Sequence, residues 1–311
     1  MSATPRATGP AAGPRTTVGV AGAGRVGAVL GAGLREAGLP VVAASGRSAA
    51  SAHRIARLLP GTPRVPVADV VRAADLVLFA VPDDALGPLV AHLAESGLFR
   101  PGQVVLHTSG AHGTGILHPA VARGAVPLAV HPAMTFTGHA TDRDRLRAGV
   151  SFGVTAPEAA RDLAESLVRA WHGRCEWIAP QHRALYHAGL AHGANHLVTL
   201  VNEALDQLRD AGVHHPEQVL SPLLHAALDN ALAHGDAALT GPVSRGDAGT
   251  VAGHLAALAA RSPESVPAYR ELARRTADRA IAAGRLTPAA AAPLLDVLAR
   301  RSPVGQRAST R

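Results

Sequence analysis

Residues 16–21 read Thr-Thr-Val-Gly-Val-Ala and run straight into Gly22-Ala23-Gly24-Arg25-Val26-Gly27, which is followed by the helical pattern AVLGAGLREAG. A short apolar run that feeds a Gly-x-Gly-x-x-Gly turn and then a helix leaves few folds open to the chain. Gly22 permits a tight turn, Gly24 the close approach of a pyrophosphate, and Gly27 the close packing of helix on strand. The helix N-terminus then stabilises negative charge. Gly22, Gly24, Arg25, Val26 and Gly27 are therefore expected to contact a dinucleotide. The bland alternative is a glycine-rich turn in an Ala- and Gly-biased chain.

Six further apolar runs follow at intervals: PVVAA, DLVLFAV, QVVLH, AVPLAV, SFGVTA and CEWIA. Their alternation with helical patterns predicts an α/β doubly wound, mainly parallel sheet. After Pro180 the strand signals stop, and Ala/Leu patterns predict an all-α second domain. The expected boundaries are a disordered lead over 1–15, a Rossmann-like domain over 16–180, a helical substrate and dimerisation domain over 181–300, and a tail over 301–311. With 47% hydrophobic and 17% charged residues, the 311-residue chain has the composition of a folded protein. The single cysteine, Cys175, allows no internal disulfide. The opening residues lack the apolar core of a secretory signal, and no uninterrupted apolar run reaches the roughly 20 residues of a membrane span. A cytoplasmic protein with no membrane partner is expected.

The ends of the later strands supply the rest of the expected crevice, because ligands of open parallel sheets bind beyond the carboxyl ends of the strands. After the second strand stand Ser45-Gly46-Arg47-Ser48, where an NAD site usually carries a carboxylate for the ribose. An arginine between hydroxyls suits a 2′-phosphate instead, so NADP (NADPH) is the expected cofactor, held by Ser45, Arg47 and Ser48. Alternatively, Ser48 caps the next helix and Arg47 is merely solvated. Val81-Pro82-Asp83-Asp84 and His107-Thr108-Ser109-Gly110 end two more strands; Val81, Pro82, Asp83, His107, Ser109 and Gly110 are candidate cofactor contacts. The alternative for Asp83 and Asp84 is a helix cap.

The formal charge of +7 comes from 30 basic residues, all of them arginine, against 23 acidic ones. No arginine cluster sits beside aromatic residues that could stack bases, so nucleic acid is not an expected partner. The absence of lysine excludes Schiff-base chemistry and an ammonium acid, leaving His, Tyr, Arg, Asp and Glu for proton work.

In the second half, about 182–211 reads as one long helix with Leu197, Val201, Leu205 and Leu208 on an apolar stripe. At about 100° per residue, His187, Asn195 and Asn202 share one sector. His187 is the leading proton donor, Asn195 its orienting partner and Tyr186 the alternative donor, against a plain packing role for this face. His192 and His196 have the i, i+4 spacing of a zinc helix without its glutamate or an evident third ligand, so no metal is expected. Arg245 and Asp247, in the turn-rich stretch 240–247, are candidates for clamping an anionic substrate and orienting the clamp. Capping of the following helix is the other role open to Asp247. His131 follows a strand and precedes a proline, where a substrate-facing loop or a structural turn begins.

Four segments together, His107-Thr108-Ser109-Gly110-Ala111, His131-Pro132-Ala133-Met134-Thr135-Phe136, Tyr186-His187 with Asn195, and Leu239 through Asp247, carry a resemblance that covers nearly the whole chain. The chain resembles a bacterial family that pairs a Rossmann-like domain with a C-terminal helical domain of unknown function. More broadly it is similar to the superfamily of 6-phosphogluconate dehydrogenase, ketopantoate reductase, pyrroline-5-carboxylate reductase and F420-dependent NADP reductase. The resemblance implies an NADP-linked oxidoreductase, usually dimeric. The chain departs from the superfamily's hydroxyacid dehydrogenases and ketopantoate reductases in lacking their lysine, so neither their proton donor nor their substrates carry over. The expected activity is hydride transfer to or from a small anionic carbonyl (2-oxo acid-like) or imine substrate by a homodimer. The alternatives are a deazaflavin:NADP oxidoreductase and a non-catalytic NADP sensor.

Overall fold

The apolar run ahead of the glycines forms β1 (Val18–Ala21), all four residues of which are buried. A strand with both faces covered needs apolar residues throughout, and this is why the run does not alternate with polar residues. The computed structural model describes residues 16–139 and 141–300; the expected lead and tail lie outside the described residues.

Six more strands join β1: β2 (Val41–Ser45), β3 (Leu76–Phe79), β4 (Val104–His107), β5 (Val126–Pro132), β6 (Ser151–Thr155) and β7 (Arg174–Trp177). The order across the sheet is β2-β1-β3-β4-β5-β6-β7. Neighbours from β2 to β5 are parallel, β6 runs antiparallel to β5, and β7 is parallel to β6. The chain leaves β1 toward β2 and returns on its other side to β3, so the order reverses at the carboxyl ends of β1 and β3. That reversal opens the crevice in which doubly wound sheets bind ligands.

Seven helices cover the sheet: α1 (Arg25–Glu36), α2 (Ala49–Leu58), α3 (Val67–Ala73), α4 (Asp83–Glu95), α5 (His118–Val121), α6 (Thr141–Arg147) and α7 (Arg161–Ala170). Successive strand residues point to opposite faces and feed two cores. Val18, Val20, Leu76 and Leu78 pack with α1, α2 and α7, whereas Val77, Phe79 and Val105 pack with α3, α4 and α5. The first core closes on Trp171, which stacks on Phe152 with ring centroids 5.3 Å apart and donates from Nε1 to the Leu30 carbonyl at 2.9 Å.

After β7 come α8 (Arg183–Leu190), a π-helical turn over Ala191–Asn195, and α9 (His196–Asp210). The expected single helix is therefore interrupted, and its phase is not kept. An i→i+5 turn breaks the 100° rule, so the shared sector inferred for His187, Asn195 and Asn202 does not follow. The chain divides into two compact units between Gly193 and Ala194, and α8 belongs to the first.

The second unit continues with α10 (Pro216–His234), α11 (Gly241–Ser244), α12 (Ala248–Arg261), α13 (Val266–Ala282) and α14 (Pro288–Ala299). Its core is built by Val251, Leu255, Val266, Ala277 and Leu294, from α12, α13 and α14. The stripe expected on α9 does not supply it: Leu197 is 40% exposed, and no residue of α9 is buried. Among the described residues, no helix is long and apolar enough to cross a membrane.

Trp171→Ala is expected to cost about 3–5 kcal/mol, because it empties a fully buried volume and removes the indole bond to the Leu30 carbonyl. Urea unfolding of the two proteins measures the difference; a loss below about 1 kcal/mol would contradict this packing.

Candidate active site

Gly22 lies at φ +98°, and a Cβ there would meet the Ala80 carbonyl at 2.6 Å, so only glycine makes the turn after β1. A Cβ on Gly27 would collide with the Gly22 carbonyl, which holds helix and turn together. Around Gly24 the position of a Cβ is open, with no atom within 4 Å. No side chain caps α1 and no carboxylate stands in its first turn, which leaves the N–H groups at Arg25 and Val26 for an anion. The turn thus has the open cradle and free donors that a pyrophosphate needs.

The end of β2 has a more structural part than expected. Ser45 is buried and its hydroxyl accepts from the Gly22 N–H at 3.0 Å, so it braces the glycine turn. Ser48 is the N-cap of α2 in a reciprocal capping box with Ser51, the alternative open to it from the sequence. Arg47 between them is exposed, and among the described residues it makes no ion pair. Arg54 and Arg57 on α2 had no sequence signal beyond their helical spacing. Arg57 donates to the Gly138 carbonyl at 2.5 Å, and Gly138 packs against both Arg25 and Arg54. The loop bearing Gly138 is fixed by the fully buried carboxylate of Asp142, which accepts from the Thr137 and Gly138 N–H groups at 2.8 and 2.6 Å. The result is a cationic rim of Arg25, Arg54 and Arg57 beside the glycine turn.

Val81 and Pro82 lead into α4, with Pro82 at the N-cap position and Asp83 and Asp84 in the first turn, where carboxylates favour the helix dipole. His107, at the end of β4, is fully buried: Nδ1 accepts from the Ser109 N–H at 3.2 Å and Nε2 faces the Gly113 carbonyl at 3.0 Å. With both nitrogens engaged, the ring shapes the 107–113 turn and has no ring nitrogen left over for the contact expected of it. Burial pushes its pKa down to about 4 despite the bond to Gly113. The turn presents Gly110 outward, against the rings of His187 and His131: a Cβ on Gly110 would lie 2.6 Å from His187 Cδ2 and 3.1 Å from His131 Nε2.

His131, Tyr186 and His187 come together here. His131 Nδ1 lies 3.0 Å from the Tyr186 hydroxyl, and its ring meets that of His187 edge-on with centroids 5.9 Å apart. Burial, reinforced by His187 and Arg183, lowers the His131 pKa to about 4, while burial raises that of Tyr186. At neutral pH the imidazole is therefore unprotonated and the phenol keeps its proton. The phenol and Nδ1 share one hydrogen bond, and the phenol ring lies against Gly153. Gly153 faces His131 across the β5–β6 pair, and a Cβ there would overlap the Tyr186 ring at 2.6 Å.

Arg183, absent from the sequence candidates, positions this helix. Its side chain is 1% exposed and donates to Thr155 Oγ1 at 2.9 Å and to the carbonyls of Ala129 at 2.7 Å and Gly153 at 3.1 Å. No carboxylate pairs with it among the described residues, and burial draws its pKa down to about 10, so it stays charged.

The remaining candidates lie from the π-helical turn onward. Asn195 ends the π-helical turn. Asp247 caps α12, accepting from the Thr250 N–H at 3.0 Å and its hydroxyl at 2.7 Å, bonds that lower its pKa. Arg245 is exposed beside it. His192 lies in the π-helical turn and His196 opens α9, and among the described residues no group of three or more side chains is placed to hold a metal ion.

Residues 2–132 match the model of a Rossmann-like domain, and residues 150–276 match that of a domain of unknown function, DUF2520. No curated protein matches the sequence. Among solved structures, the chain is similar to a Bacteroides fragilis protein described as an NADP oxidoreductase (TM-score 0.71, 21% identity, covering 85% of this chain and 98% of that one). It is also similar to protein TM1727 of Thermotoga maritima (0.64, 18%, 86% and 100%) and to a reductive aminase of Aspergillus terreus in complex with NADPH and ethyl levulinate (0.61, 19%, 88% and 95%). The two domain matches stand in the order expected from the sequence, and the solved structures share the fold.

Because the folded protein holds His107 neutral down to about pH 4 whereas the unfolded chain protonates it near 6.5, its contribution is complete above pH 6.5 and is lost as the pH falls toward 4. The loss from this ring is about 3 kcal/mol. Urea unfolding between pH 7 and 4 should fall more steeply for the native chain than for His107→Asn; parallel profiles would refute the burial argument.

Proposed function

We propose that the protein is an NADP-dependent oxidoreductase acting on a small carbonyl or imine compound that carries an anionic group. The observation that carries this reading is the convergence of His131, Tyr186 and His187 over Gly110, on the same sheet edge as the open Gly24 cradle. From β1 to β5 is three strand spacings, about 14 Å, a distance within the span of one extended dinucleotide. Bound NADPH would supply the hydride. The residues fitted to hold it are the N–H groups at Arg25 and Val26 for the pyrophosphate, with Arg47 and its exposed guanidinium for the 2′-phosphate. His187 offers a proton to the substrate heteroatom. Tyr186, fixed by His131 and Gly153, is the second donor and orients the same atom. An excess of seven positive charges favours an anionic substrate.

The working form is a homodimer in this reading. Val198, Val219, Leu223 and Leu232, on α9 and α10 of the second unit, are 54–79% exposed, an apolar surface that a second copy would cover. Light scattering at micromolar concentration should give twice the chain mass, and a monomer would refute this.

Fluorescence titration should show NADPH binding at least tenfold tighter than NADH, with Arg47→Ala removing most of the preference. With a panel of 2-oxo acids and cyclic imines, His187→Asn and Tyr186→Phe should each lower kcat by about 10²-fold or more. Equal binding of the two cofactors would overturn the NADP assignment, and undiminished turnover in both variants would overturn the proton donors.

A further inference from the structure

The second unit contains a cavity of about 460 Å³, within the range of small-molecule sites. One wall is a single face of α9, where Leu200, Glu203, Ala204 and Gln207 recur at helical spacing. Facing it are Tyr269, Leu272, Ala273 and Thr276 on α13, with His254 from α12 and Val243 from α11 between them. Every residue lining the cavity comes from the second unit, so it shares no residue with the site on the sheet and does not depend on the oxidoreductase reading.

Its chemistry runs against that of the chain. In a protein with 30 arginines, no arginine lines the cavity, and its one carboxylate, Glu203, forms no ion pair among the described residues. Beside the apolar walls stands a second polar feature. The Tyr269 hydroxyl lies 2.7 Å from His254 Nδ1, with the two rings edge-on at 5.9 Å. Burial favours the protonated phenol, and with one hydrogen bond shared with Nδ1 its oxygen keeps a lone pair free to accept. A carboxylate, a phenol oxygen presented as acceptor and an aromatic face all favour a cation, and the hydrocarbon lining favours an apolar body attached to it.

We propose that this cavity binds a small amine in its ammonium form, its hydrocarbon part against Leu200, Leu272 and Ala273 and its charged nitrogen on Glu203 and Tyr269. The chain has only two tyrosines, Tyr186 and Tyr269, so the full-length protein labelled with 3-fluorotyrosine gives two ¹⁹F resonances, assigned with Tyr186→Phe and Tyr269→Phe. Cyclohexylamine should shift the Tyr269 resonance saturably and leave that of Tyr186 in place. Cyclohexanol and cyclohexanecarboxylate, of similar shape, should bind at least tenfold more weakly. Glu203→Gln should weaken the amine at least tenfold without changing Tm, and Ala204→Trp, which fills the cavity from α9, should abolish the shift. The proposal is overturned if the carboxylate or alcohol binds as well as the amine, if Glu203→Gln binds normally, or if no ligand shifts Tyr269. It is also overturned if the resonance responds only to protein concentration, which would assign the cavity to a contact between copies. Neither cofactor nor turnover enters the readout, so its failure and that of the oxidoreductase reading are separable.

Discussion

The buried guanidinium of Arg183 joins the sheet to the helix that bears Tyr186 and His187. It gathers two backbone carbonyls and a hydroxyl from β5 and β6, the antiparallel pair at which the sheet changes direction. A charge buried without a counter-ion is tolerated only when neutral dipoles face it, and these three acceptors engage Nε and one terminal nitrogen in a geometry that fixes the start of α8, leaving the other terminal nitrogen buried without a partner. Tyr186 and His187 follow within one turn. The glycines complete the fit: Gly153 admits the Tyr186 ring against β6, and Gly110 admits the His187 ring over β4. Anchor, ring and gap come from segments far apart in sequence, and each has a purpose only in the presence of the others.

This explains which parts of the molecule could be read from the sequence. The strands were legible because parallel strands buried on both faces must be apolar throughout, as in Val18–Ala21 and Leu76–Phe79. The glycine turn was legible because its steric demands fall on consecutive residues. Arg183 was not, since an arginine at a helix start carries no pattern in a chain with thirty of them. The π-helical turn was equally hidden, because an i→i+5 bond has no residue signature of its own. His131 and Tyr186 could each be picked as candidates, but their 3.0 Å bond spans 55 residues and follows from the register of β5 with β6.

Several candidates expected to meet a ligand instead build the surface that would receive it. Ser45 braces the glycine turn, Ser48 caps α2, His107 holds the 107–113 turn and Asp247 caps α12. Polar residues at strand and helix ends are drawn first to unsatisfied backbone groups, because a buried N–H or carbonyl left alone costs about 1–3 kcal/mol. The residues left over are those the local backbone does not claim: Arg47, Tyr186, His187 and the N–H groups of the α1 start.

The proton balance at the convergent site follows from the same burial. With burial lowering His131 to about 4 and raising Tyr186, the proton stays on the phenol. His131 therefore cannot take the Tyr186 proton in the resting protein, and its bond to the hydroxyl serves to aim it. In a chain without lysine, the neutral His131 imidazole holds the phenol from one side while the His187 ring meets that imidazole edge-on from the other.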